Sequence, residues 1–197
     1  MMMRAARLSG LFKHGAGWKS ERGSQIVEFA LSLPLLVFFV IGIFDFSNAL
    51  SLKQKLTNAA REGARVAAAD PASDLVGYTT AAPASVSDAF QVVDAYLIAE
   101  RINDCGLVGA SPTGPSGLTW TYSANGSGCP GSGIQLTINR GNLVSQTGGQ
   151  TSGYLVTTMV TVTYPYNWQF SSVTGLFGRS FALPTTITTS AVTFNEN

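Results

Sequence analysis

Two kinds of residue in this chain could do chemistry: carboxylates at the ends of an apolar run, and a pair of cysteines. The run, FALSLPLLVFFVIGIF at residues 29–44, has Glu28 directly before it and Asp45 directly after it. A carboxylate is costly inside a lipid bilayer, whereas one near a helix end can reach the interface much more cheaply. Both carboxylates are therefore expected to reach the membrane surface.

The two cysteines, Cys105 and Cys129, both follow the apolar run. If this part of the chain is exported it lies in an oxidising space, where a disulfide is the expected state. The bridge would close a loop of about 23 residues and add roughly 3 kcal/mol of stability; two free thiols are the alternative. A zinc site needs more cysteine or histidine ligands than this region offers, and the single histidine, His14, precedes the run.

Charge is distributed unevenly along the 197 residues, although the net charge is only +1. Residues 1–24 contain five basic residues and one acid, whereas residues 71–197 contain three arginines, no lysine and six acids. Lysine and arginine flanking a membrane helix stay in the cytoplasm, so the N-terminus is predicted inside and everything after Leu50 outside. The overall balance gives no indication of a nucleic-acid partner.

The apolar run predicts one membrane helix preceded by a flexible basic leader. At about 1.5 Å per residue the sixteen uncharged positions span about 24 Å, slightly less than the roughly 30 Å hydrocarbon core. Residues 26–50 supply the missing length. Pro34 predicts a kink and Gly42 a second soft point, and a membrane helix tolerates both.

The helical pattern continues past the membrane segment. Residues 50–70 place apolar and small residues at three- and four-residue steps, and Asp70-Pro71 is a stop signal. One helix from about residue 25 to residue 69 would be roughly 65 Å long, more than an anchor needs. Its second half is rich in alanine and glycine, which suits close packing against another surface.

The remainder predicts an α+β domain. After a linker at 71–85, residues 87–104 form the second predicted helix, with Ser87 as its N-cap and Gly106 as its stop. Segments with period-two alternation follow, at 118–123, 134–139, 154–164 and 185–194. Strands and helices do not alternate, so we expect one helix packed on an antiparallel sheet.

The segment Glu21-Arg22-Gly23-Ser24-Gln25-Ile26-Val27-Glu28-Phe29 resembles the processing sites of prepilins. It looks most like the TadE-like family of minor pseudopilins from tight-adherence, or Flp-type, pilus systems. The resemblance continues through SLPLLVFFVIGIFDFSNAL and LTNAAREGAR and covers about residues 21–69; the C-terminal part matches the family layout more loosely. In that family a glycine precedes the cut, and a Glu-aromatic pair occupies the fifth and sixth mature positions.

This resemblance implies cleavage after Gly23 by a membrane prepilin peptidase, a mature chain starting at Ser24, and Glu28 and Phe29 as an assembly motif. Glycine suits such a cut because it lets the backbone enter a protease extended. The expected partners are the peptidase, other pilins or pseudopilins, and the assembly platform, with roles in pilus assembly, adhesion or secretion. Glu28 would pair with the new N-terminal amine of a neighbouring subunit.

No enzyme and no cofactor are expected. The mature chain would lack histidine, which excludes Ser-His and Cys-His mechanisms. Asp94 with Glu100, or Asp88 with Asp104, could form carboxylate pairs, but we interpret them as the solvated face of the second helix. Gly131-Ser132-Gly133, Gly148-Gly149 and Asn125-Gly126-Ser127 are interpreted as turns.

Three alternatives remain open. ERGS could be an ordinary charged flank of a membrane helix. Ser47-Asn48-Ala49 has the small residues of a conventional signal-peptidase site, although the apolar run is longer than a usual signal core. The aromatic cluster Tyr164, Tyr166, Trp168 and Phe170 could also bind a surface or ligand, in a membrane-anchored or secreted module outside any pilus; core packing is the favoured interpretation.

The sequence therefore predicts a leader at 1–23, a long helix at 24–70 with its membrane segment at 26–50, and an exported domain at 71–197. The protein is expected in the bacterial inner membrane, which its chain crosses once, with the C-terminal domain in the periplasm or outside the cell. Whether the protein enters the filament is left open.

Overall fold

The computed structural model describes residues 21–77, 81–126, 128–146, 153–169 and 183–196. Residues 1–20 of the predicted leader, Gly148-Gly149 and Phe170 lie outside the described residues. Contacts divide the chain into two units, residues 1–40 and 41–197.

The first helix, α1, runs over Glu21–Ala69 and contains Pro34. The long helix predicted from the sequence is therefore confirmed, and the described chain is already helical at Glu21. It is long and apolar enough to cross a membrane, and no residue of its most apolar window is buried within the chain. Its second half follows the opposite pattern, because Leu56, Ala60 and Ala64 are fully buried.

The second helix, α2, covers Ala84–Ala99 rather than the predicted 87–104. It starts directly after Pro83, whose φ of −63° is already suitable for a helix, and Ser87 lies inside the first turn rather than at the N-cap. At the other end Arg101 adopts a left-handed φ of 57°. The Ile102 N–H then donates to the Leu97 carbonyl at 2.9 Å, a Schellman motif that ends the helix before residue 104.

Short 3-10 turns surround α2, at Ala72–Leu75 before it and Leu107–Gly109 after it. The first occupies part of the predicted linker. Gly106, predicted to stop α2, instead has a left-handed φ of 78° directly before the second turn. It is thus a turn residue beyond the helix end rather than the residue that ends it.

Among the described residues, five antiparallel strands form one sheet in sequence order, and the predicted α+β class is confirmed. They are β1 Thr113–Ser116, β2 Thr119–Ala124, β3 Ile134–Gln146, β4 Gly153–Pro165 and β5 Thr186–Phe194. The sequence missed β1, whose residues TGPS combine glycine and proline, both unfavourable in strands. It also ended β3 at residue 139, where the β3–β4 register shifts between Asn139 and Asn142.

The core lies between one face of this sheet and the two helices. Most of its members are apolar, fully buried residues of α1, α2 and strands β2 to β4, among them Leu56, Ala59, Ala60, Ala64, Ala67, Val86, Ala89, Val93, Leu97, Trp120, Leu136, Ile138, Val160 and Val162. The opposite face carries threonines, such as Thr163 and Thr188, whose hydroxyl oxygens lie 3.1 Å apart. Hydrophobic burial on one side and polar residues on the other explain the period-two pattern of the strands.

Candidate processing and assembly site

The predicted cut and assembly motif all lie in the first turns of α1. Gly23, Ser24, Glu28 and Phe29 are helical and exposed, and nothing would lie within 4 Å of a Cβ added to Gly23. The extended backbone expected at Gly23 is therefore not the resting conformation. A peptidase that binds an extended chain would first have to unwind the helix at Gly23. Cleavage after Gly23 stays a prediction.

At the other end of the apolar run, Asp45 is not at a solvated interface. Its side chain is only 2% exposed. The Tyr166 hydroxyl donates a hydrogen bond of 2.9 Å to Asp45 Oδ1 and lies 3.1 Å from the Asp45 carbonyl oxygen. The carboxylate thus has its partner within the same chain, supplied by the segment after β4.

Two members of the predicted aromatic cluster, Tyr166 and Trp168, lie at this contact, whereas the Tyr164 hydroxyl donates to the Asn103 carbonyl at 2.9 Å. The Trp168 ring centroid lies 5.3 Å from that of Phe46 and 4.9 Å from that of Tyr166. Trp168 Nε1 donates to the Pro184 carbonyl at 2.6 Å. This geometry favours a packing role, because Tyr166 and Trp168 attach the region after β4 to α1.

The surroundings of Tyr166 change the pKa of its phenol. Burial first, and then the hydrogen bond and negative charge of Asp45, raise the pKa of Tyr166 to about 12. A raised pKa means that the fold favours the protonated phenol, which is the form that donates. The resulting stabilisation is complete below the ordinary tyrosine pKa of about 10 and is lost as the pH rises through about 12.

The small residues of α1 allow it to approach α2 and the sheet closely. A Cβ on Gly63 would lie 2.6 Å from Val93 Cγ2, 3.5 Å from the Ala89 carbonyl oxygen and 3.7 Å from Val160 Cγ1. Alanines one turn before and after Gly63 are fully buried. The surface that this half of the helix was expected to pack against therefore belongs to the same chain.

Ser47-Asn48-Ala49, the alternative cleavage site, lies within the continuous helix α1. Ala49 itself is buried. A cut after Ala49 would separate Asp45 from the domain that binds it.

Arg140 is a buried charge that the sequence reasoning missed. Its guanidinium donates to the carbonyl oxygens of Ala67 and, at 3.0 Å, of Asp70, and its Nη1 lies 3.1 Å from Thr158 Oγ1. Basic groups suit this position, because the last carbonyls of a helix carry partial negative charge. Burial lowers the pKa of Arg140, and the Asp74 and Asp70 carboxylates oppose that change.

Arg140 points into the core because it continues the alternation that buries Ile134, Leu136 and Ile138 of β3. The register with β4 shifts at this point, where β3 has one residue more than β4 between Asn139 and Asn142, and the Arg140 N–H donates to the Leu118 carbonyl at 2.9 Å. Gly141 approaches Leu118 so closely that an added Cβ would lie 2.9 Å from Leu118 Cδ1. The signal in the sequence was the alternation itself, which places residue 140 on the same face of the strand as residues 134, 136 and 138.

The carboxylates of the second helix are interpreted from the sequence as its solvated face. This interpretation was wrong for Asp94. Asp94 is only 7% exposed. Burial, followed by the nearby Asp104 carboxylate, raises the pKa of Asp94. Glu100 instead pairs with Lys55 of α1 at 3.1 Å. Within the described residues no three side chains of the metal-binding types form a cluster.

The predicted disulfide between Cys105 and Cys129 is present. It joins the segment after α2 to the loop between β2 and β3. The Gly126 N–H donates to the Cys105 carbonyl at 2.7 Å, and a Cβ on Gly126 would lie 2.6 Å from that oxygen. Glycine is therefore needed in the Asn125-Gly126 turn for this close approach.

Together these features define a class of protein: one membrane-length N-terminal helix whose second half forms part of the core of an α+β domain. The family model described as TadE-like protein matches residues 23–65, from the glycine of the predicted cut to Arg65 in the packed half of α1. The resemblance to the TadE-like family is thereby confirmed for this segment, and it supports an association with tight-adherence pilus systems. Neither a curated protein nor a solved structure gives a significant match to the chain.

Proposed function

We propose that this protein is a minor pseudopilin-like component of a tight-adherence pilus system, cleaved by a prepilin peptidase after Gly23. The observation that carries the proposal is the TadE-like match, which starts at Gly23 and includes Glu28-Phe29. The exposed apolar half of α1 adds support, because such a surface has to be covered by lipid or by other proteins.

Processing would create a charge suited to the first turn of α1. Cleavage after Gly23 gives Ser24 a free amine, four residues before Glu28 and on the same face of the helix. Within lipid, an exposed Glu28 carboxylate needs a cation, and the new amine of a neighbouring subunit would supply it. The proposed role in assembly therefore depends on the cut.

The test of processing is the N-terminus of the mature chain. The full chain is expressed with and without the matching peptidase, and the product is sequenced from its N-terminus. We expect a chain that starts at Ser24 only when the peptidase is present. Gly23→Leu should prevent the cut, whereas Gly42→Leu, the same change further along α1, should not. An unshortened chain, or one that starts at Leu50, contradicts the proposal.

The test of assembly uses two matched carboxylate neutralisations. Glu28→Gln should be processed normally but lose crosslinks to other pilins in membranes, because the amine then has no carboxylate partner. Glu21→Gln is the control, since that residue leaves with the leader. Equal crosslinking in both variants would show that Glu28 has no part in assembly.

The alternative, a surface-binding module outside any pilus, rested on the aromatic cluster. Tyr166 is engaged with Asp45, and Trp168 with Phe46 and Pro184. Because these side chains serve packing within the chain, the observation that suggested a binding site favours a structural role instead.

A further inference from the structure

A groove of about 250 Å³ lies between α1 and the start of β5. The described residues of its apolar lining are Phe46, Ala49, Leu50, Trp168, Pro184 and Ile187. Among the described lining residues, Lys53 is the one that carries a charge. All of these residues belong to the same unit, residues 41–197.

The position of the groove along α1 suggests what fills it. Phe46, Leu50 and Lys53 follow the last residue of the apolar run by two, six and nine positions, or about 3, 9 and 14 Å along a helix. The polar layer of a bilayer adds roughly 5–8 Å on each side of the hydrocarbon core. Phe46 and Leu50 therefore fall in or beside this layer, and the long lysine side chain can reach it.

The exposure and charge of the lining fit the same environment. Phe46 is 56% exposed and Leu50 is 59% exposed, and both line the groove together with Trp168. Tryptophan beside apolar residues is typical of membrane interfaces, where one part of the ring is apolar and the N–H is polar.

Lys53 is also available to an external anion. No described carboxylate lies within ion-pair distance of Lys53, whereas Lys55 pairs with Glu100 and Arg65 with Glu62. A lysine beside an apolar groove matches the chemistry of an anionic phospholipid, which combines a phosphate with acyl chains.

We propose that this groove binds a phospholipid of the membrane that α1 crosses, on the side of the α+β domain. The apolar part of the lipid lies against Phe46, Leu50 and Trp168, and its phosphate lies at Lys53. The domain thus rests on the bilayer through its own residues. The inference depends on the membrane span but not on cleavage after Gly23.

Brominated lipids, which quench nearby tryptophans, test the proposal in proteoliposomes of the full chain. Subtracting the signal of Trp168→Phe isolates Trp168 from the other tryptophans. We expect brominated phosphatidylcholine to quench the Trp168 component. Brominated phosphatidylglycerol, diluted into plain phosphatidylcholine, should quench it more strongly than brominated phosphatidylcholine at equal dilution. Lys53→Gln should lower this preference by about fivefold, the effect of one lysine at an anionic surface.

Arg61→Gln is the matched control, because Arg61 is exposed on the same helix but lies about 12 Å further from the membrane segment. It should leave the preference unchanged. A Trp168 component that fully brominated vesicles do not quench would overturn the proposal, as would equal preference in Lys53→Gln and the wild type. Neither result depends on the peptidase, so failure here is distinguishable from failure of the proposed processing.

Discussion

Gly63→Ala should destabilise the domain, although alanine is the better helix former. The substitution gains about 1 kcal/mol of helix propensity. The added Cβ, however, would lie 2.6 Å from Val93 Cγ2 in a fully buried contact, so one of the two elements has to retreat. Overpacking of this kind costs about 1–3 kcal/mol, and the shortness of the contact favours the upper part of that range. The expected net loss is about 1–2 kcal/mol.

The physical reason can be tested by removing the methyl groups that clash. Val93→Ala alone should cost roughly 2 kcal/mol through lost burial and a cavity. In that background Gly63→Ala should become stabilising by about 1 kcal/mol, because the Ala89 and Val160 atoms near its Cβ lie at ordinary contact distance and the helix propensity remains. The sign of the effect at Gly63 therefore depends on the side chain at residue 93.

The assay is urea unfolding of the full chain in detergent, followed by the fluorescence of the buried Trp120. All four members of the cycle are compared at equal detergent concentration. Gly109→Ala serves as the steric control, because nothing lies within 4 Å of its added Cβ, and it should change stability little. If Gly63→Ala were neutral or stabilising in the protein that keeps Val93, the packing argument would be refuted. Simple additivity of the two substitutions would refute it too.

Three further predictions concern individual contacts. Tyr166→Phe should cost about 1.5–3 kcal/mol in the same unfolding assay, because the buried Asp45 carboxylate loses a hydrogen bond. Asp94→Asn should raise the melting temperature at pH 7 and give no gain near pH 3. The pKa of Asp94 is raised in the fold, so its ionisation lowers stability as the pH rises through that value. Replacing Cys105 and Cys129 by serine should cost about 3 kcal/mol of unfolding free energy at equilibrium.

Each of these predictions has a matched comparison. Tyr154→Phe changes an exposed tyrosine and should have little effect, so an equal loss would exclude a specific role for the Asp45 contact. Asp88→Asn changes an exposed carboxylate of α2, and a gain at pH 7 like that of Asp94→Asn would mean that net charge, not burial, is responsible. For the disulfide, the unfolding free energy of the wild type in reductant should match that of the serine variant. A difference would mean that the serine side chains themselves change the stability.

The elements of this protein follow mainly from local pattern. The apolar run, the helical spacing through residue 69 and the alternation of the strands each reflect one element burying one face, which a periodic sequence records directly. The resemblance of residues 21–69 likewise depends on consecutive residues, so it could be recognised without any fold. Where local geometry is unusual, the sequence was less informative. Arg101, in a left-handed conformation, ends α2 earlier than predicted, and β1 was not predicted because its residues TGPS are atypical of strands.

Which distant residues meet was decided by the tertiary structure alone. Asp45 and Tyr166 are 121 positions apart, and Arg140 and Asp70 are 70 apart. Asp45 was expected at the membrane surface and Asp94 in solvent, yet the domain buries both. The local sequence shows that a carboxylate follows an apolar run. Whether this carboxylate contacts water, lipid or a tyrosine depends on how the sheet packs against the helix. The sequence by itself thus determined the elements and the family resemblance, and the fold decided the partner of each buried charge.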